Sequence, residues 1–110
     1  MNIRKPNDYS ALDVLMGSDL AETELYCEIG RAVCARTEKG AAVMAAEYLQ
    51  AEYPDRKGFS PRNLRRMRSF YLAYGNTPAQ LEKALKLAWT QNVTILEACE
   101  AAEERAWYLN

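Results

Sequence analysis

Six cations fall within thirteen residues of this sequence: Arg56, Lys57, Arg62, Arg65, Arg66 and Arg68. No acid occurs from Arg56 until Glu82. Four of the six lie between Arg62 and Arg68, where planar guanidinium forks can take phosphates or guanine edges in pairs of hydrogen bonds, and Ser69 adds a hydroxyl beside them. This is chemistry for holding a polyanion. The chain as a whole has net charge −1, yet outside the segment its other eight Lys and Arg face 15 acids, leaving −7. An anionic partner meets a local patch and not the average, so the segment is a candidate DNA surface. The plainer reading is a solvated helix face whose arginines pair with acids of neighbouring helices.

Other chemistries lack their residues. There is no histidine, which removes imidazole as a general base and as a metal ligand. Cys27, Cys34 and Cys99 form no CxxC pair, and an odd count suits reduced thiols. Cys27 and Cys34 are separated by about 10 Å along one expected helix, too far to bridge each other. All three are expected as small core residues, and no metal, cofactor or small-molecule site is expected.

The arginines need an element to hold them outward. Ser60 is a natural N-cap and Pro61 fits the first helical position, so a helix is expected from there to Tyr74. At 100° per residue, Leu64, Met67, Tyr71 and Tyr74 share one stripe flanked by Phe70. Arg62, Arg65, Arg66 and Ser69 fall opposite, with Arg56, Lys57 and Arg68 placed to grip phosphates. Residues 41–53 form the preceding helix, with Val43, Ala46, Leu49 and Tyr53 on one side, and Pro54 stops it. The connection contains Gly58, able to take positive φ, and Phe59, able to pack under the next helix. A helix, a short glycine-bearing turn and an arginine-bearing helix make residues 41–74 a helix-turn-helix-like unit.

Elsewhere, helices are expected over 9–16 and about 20–37, the second with Leu25, Ile29, Ala32 and Val33 inward and Glu22, Glu24, Glu28, Arg31 and Arg36 outward. Ser18 or Asp19 is the expected cap of that second helix. Gly75-Asn76 reads as a left-handed stop, and Thr77-Pro78-Ala79-Gln80 as a near-complete capping box. The next helix should bury Leu81, Leu85 and Ala88, and another after Trp89-Thr90 should use Val93, Ile95 and Leu96. Residues 1–8 are expected as a loose arm in which Arg4 and Lys5 can reach a phosphate. The tail ends on Trp107, Tyr108 and Leu109, which should dock on the core or meet a partner. The sum is one all-α domain over residues 1–110, a compact bundle of five or six helices. No stretch of about 18 apolar residues is present and the N-terminus lacks a secretory signal, so a cytoplasmic location is expected.

The motifs also carry a resemblance. The order L-Y-x-E-I-G (from Leu25), G-F-S-x-R-N-L-x-x-M-R-x-F-Y (from Gly58), L-x-W-T-x-N (from Leu87) and E-E-R-x-W-Y-L (from Glu103) resembles the N-terminal domain of bacterial YhcG-like proteins. The resemblance covers roughly Glu24 to Leu109. It implies an all-helical, helix-turn-helix-like DNA-binding module of the kind that precedes a PD-(D/E)xK nuclease domain. Gln91 stands where that family commonly has histidine. Nuclease chemistry needs an acid and an ExK or DxK pair on adjacent strands to hold a metal. Asp55-Arg56-Lys57 matches a fragment of that signature, but in a turn between helices. A non-catalytic DNA-binding module is therefore expected, standing alone or separated from its nuclease. The alternative is a protein-interaction or dimerisation module that pairs with itself or with a nuclease, using Trp107, Tyr108 and Leu109.

Overall fold

The computed structural model describes residues 8–98 together with Arg105, Trp107 and Leu109. Six helices follow one another: α1 (Ser10–Met16), α2 (Glu22–Cys34), α3 (Ala41–Glu52), α4 (Pro61–Tyr74), α5 (Pro78–Leu85) and α6 (Trp89–Ala98). No strand occurs among the described residues. The fold is all-α, as the periodicity requires. The expected arm at the N-terminus lies outside the described residues except for Asp8.

α4 is the central element, packed mainly on α2 and then on α3. Ser60 Oγ accepts a hydrogen bond from the Asn63 amide at 3.1 Å, and Pro61 opens the helix without losing a donor. Its inward face is Leu64, Met67, Phe70 and Tyr74, all without solvent exposure. Phe70, expected at the flank, is as fully buried as the rest and Tyr71 is only half-buried, so the helix is rotated toward Phe70 from the expected setting. The reason is an aromatic cluster on that side. Phe70 lies 5.0 Å from Tyr74 and 5.6 Å from Trp89, and Trp89 lies 5.0 Å from Tyr26.

The connection from α3 to α4 is held by the same cluster. Phe59 is buried and meets Tyr26 edge-on at 6.1 Å. Gly58 takes φ 95, and a Cβ there would stand 2.3 Å from the Tyr26 hydroxyl, so both backbone angle and space require glycine. Asn63 donates to the Gly58 carbonyl at 2.7 Å and accepts from the Trp89 indole at 2.9 Å.

Several element ends differ from expectation. α2 begins at Glu22 after Ala21, without a side-chain cap. Ser18 bonds back to the Leu15 carbonyl, and Thr23 ties the start of α2 to the Leu87 carbonyl at 2.9 Å. α2 stops at Cys34, so Arg36 does not face outward. Its guanidinium turns inward to the Asp8 carbonyl, pairs with Glu38 and lies 4.4 Å over the Tyr9 ring. Gly75 is right-handed, with φ −59, and its amide closes on the Tyr71 carbonyl. Thr77 makes no cap to α5; its hydroxyl donates to the Tyr74 carbonyl instead. Ala88 is exposed because α5 ends at Leu85, whereas Asn92 is fully buried and donates to the Ala84 carbonyl at 2.9 Å. Cys27 is buried, and burial raises its thiol to about 11. Cys34 is half-buried, and Cys99 lies outside the described residues.

Candidate nucleic-acid interface

With one side of α4 sealed in the core, helical geometry leaves an outer arc running Arg68, Leu72, Arg65, Ser69, Arg62 and Arg66. Arg62, Arg65, Arg68 and Ser69 are exposed. Among the described residues, no ion pair engages Arg62, Arg65 or Arg68. α4 itself contributes no acid, so these three cations are not neutralised along their own helix.

Arg66 is different. It sits at the edge of the arc that turns toward α6 and is 29% exposed. Its Nη2 donates to Glu97 Oε1 at 2.7 Å. The expectation that Arg66 stands outward and unpaired is therefore corrected: it bridges α4 to α6.

Arg56 and Lys57 are exposed in the connection before α4. The Arg56 guanidinium lies 6.0 Å from the Phe59 ring centroid, at the outer limit of a cation–π contact. Because Phe59 and Gly58 are fixed by the core, these two cations are carried by an anchored turn. Among the described residues of α4 no exposed aromatic stands beside the arginines, since Phe70 is buried and Tyr71 half-buried.

Where α4 faces the α2–α3 turn, an open cleft of about 500 Å3 is lined by Cys34, Lys39, Val43, Arg65, Arg68 and Leu72, among others. Lys39 is a cation that the linear charge run did not reveal. It lies 26 residues before Arg65 in sequence, and only the packing of α2, α3 and α4 brings the two to one cleft. The Cys34 thiol donates to the Arg68 carbonyl at 3.8 Å, and burial raises it above its ordinary value against the nearby Arg68 charge.

The expected partner trio divides. Trp107 is 74% exposed, and Leu109 packs against the core. Tyr108 lies outside the described residues. Asp55, Arg56 and Lys57 lie in the turn between α3 and α4 and not on a strand. Among the described residues, no group of three or more Asp, Glu, Cys or His could hold a metal. No described helix is long and apolar enough to cross a membrane. Gln91, at the position commonly histidine in the resembled family, uses its side-chain oxygen to accept the Ala88 amide at 3.1 Å, fixing the entry to α6.

A family model, the DUF1016 N-terminal domain, matches residues 12–110. No curated protein and no solved structure matches the chain.

Proposed function

The chain belongs to the DUF1016 N-terminal domain family, and from that premise we propose that it is a non-catalytic module that lays α4 against duplex DNA. In this reading α3, the turn after it and α4 act as a helix-turn-helix-like unit. Arg62, Arg65 and Ser69 face the groove, while Arg56, Lys57 and Arg68 take backbone phosphates. Arg66 supports the face from its edge. The observation that carries the reading is the outward set Arg62, Arg65 and Arg68, without an ion pair among the described residues, on a helix whose reverse side is buried. Guanidiniums left without internal carboxylates keep their full charge for an external anion.

Titration of a labelled duplex at two salt concentrations tests this. Arg56, Lys57, Arg62, Arg65 and Arg68 together predict a slope of log affinity against log salt of roughly −4 to −5. Arg62→Glu with Arg65→Glu should abolish binding while the helical circular dichroism is unchanged. A folded double variant that binds like the parent overturns the proposal.

A second reading is favoured by Trp107, a large side chain 74% exposed. In it, the tail forms a homodimer contact or meets a nuclease domain. A dimer would set two α4 helices on paired half-sites, so the readings are compatible. Trp107→Ala should then lower the mass measured by light scattering, and an unchanged mass rejects the dimer. Binding to chromosomal DNA would place the module in the cytoplasm.

A further inference from the structure

The cleft beside α4 has features that a duplex-docking face does not need. Paired bases remain in the stack and backbone phosphates are met by protruding cations, whereas this surface is recessed by about 500 Å3. That volume lies in the range of pockets that enclose small ligands. Its lining carries four cations: Arg65 and Arg68 from α4, and Arg36 and Lys39 from the α2–α3 turn. The one acid of its lining, Glu38, is paired with Arg36. The apolar part of its wall includes Val33, Val43 and Leu72. Leu72 is 62% exposed and is the one large apolar side chain on the outer arc of α4. Charge and apolar surface therefore meet in one concave place.

We propose that this cleft takes a single unpaired nucleotide, its phosphate held by Lys39 and Arg68 and its sugar and base against Leu72 and Val43, with Arg65 at the rim between cleft and groove. A nucleoside monophosphate unit has both halves of the required chemistry: an anion for the cationic rim and a flat, weakly polar body for the apolar wall. Resting on the DNA-binding reading, the proposal gives that site a substrate class: duplexes that carry an unpaired nucleotide next to the segment held by α4. The same unit could come from a strand end or from a free nucleotide in solution.

The test compares a blunt duplex, the same duplex with a three-nucleotide single-stranded overhang, and free dAMP. Fluorescence anisotropy reads the two duplexes and calorimetry reads the nucleotide. The overhang should bind about tenfold tighter than the blunt end, within the gain expected from covering one exposed leucine side chain. Leu72→Ser should remove that gain while leaving blunt-duplex affinity within about twofold, and Lys39→Gln should lower the overhang-to-blunt ratio. Equal binding of both duplexes with dAMP binding lost in Leu72→Ser supports the free nucleotide as the source. Blunt binding with neither an overhang preference nor dAMP binding overturns the cleft assignment and leaves the duplex reading intact. Binding of dAMP without any duplex binding does the reverse, and no binding of any of the three overturns both.

Discussion

Gly30 of α2 lies directly against the Met67 carbonyl of α4: a Cβ built on the glycine would stand 2.1 Å from the oxygen and 2.6 Å from the carbon. Both are backbone atoms and neither can rotate away. The helix that carries the arginines is thus seated at its midpoint on a position that admits no side chain. Gly30→Ala must push α4 outward, and overpacking of this kind costs about 1–3 kcal/mol. Urea unfolding should show that loss as a lower midpoint. An unchanged midpoint would mean that the α2–α4 contact is looser than the geometry states.

Asn63 joins two segments that α4 must hold in place. Its amide donates to Gly58 in the preceding turn, and its oxygen accepts from Trp89 at the start of α6. Asn63→Ala leaves the indole N–H of a nearly buried tryptophan without its acceptor, a loss of about 1–3 kcal/mol. Thermal unfolding should fall by several degrees. Tryptophan fluorescence should also change, because Trp89 loses the bond that orients it.

The start of α4 was legible because its determinants are local: Ser60, Pro61 and the Asn63 amide lie within four residues. The same reasoning failed at α2, where a partner distant in sequence won, and at α5, where an equally local alternative did. Thr23 reaches Leu87 across 64 residues of sequence, and Thr77 closes the preceding turn instead of capping the helix it precedes. Arg66 and Glu97 are 31 residues apart, so no helical wheel of α4 could show that one of its arginines was engaged. Lys39 enters the cleft only through tertiary packing. Asn92 would be placed on a surface by its polarity, yet it caps carbonyls at the end of α5 from inside the core. Charge density and periodicity identified the face; pairing between distant segments decided which of its members remain available.

Asp13 of α1 accepts hydrogen bonds from the Tyr48 and Tyr53 hydroxyls, both at 2.7 Å. These bonds hold the carboxyl below its ordinary value, and the same bonds hold both phenols above theirs. The depressed carboxyl contributes stability that is complete above its unfolded value of about 3.9 and is lost as pH falls through the folded one. The raised phenols contribute stability that is complete below about 10 and is lost as pH rises through their folded values. Urea midpoints should therefore form a plateau from about pH 5 to 9 and decline on both sides. Asp13→Ala should lower the plateau and flatten both flanks. Parallel curves for the two proteins would show that this cluster contributes nothing to the pH dependence.

Arg65 and Arg66 are neighbours in sequence but should behave differently. Arg65 is exposed and has no ion pair among the described residues, whereas Arg66 must leave Glu97 before it can meet a phosphate. Arg65→Gln should leave stability unchanged and reduce the steepness of the salt dependence by about 0.9. Arg66→Gln should cost less than about 1 kcal/mol of stability, as partly exposed pairs do, and should change the salt slope little. Glu97→Gln provides the opposite case: it releases Arg66 without removing any cation. It should tighten duplex binding and steepen the slope by up to about 0.9. If Glu97→Gln leaves both affinity and slope unchanged while Arg65→Gln weakens binding, Arg66 lies outside the contact surface even when released. If Arg65→Gln also has no effect, α4 is not the element that meets DNA.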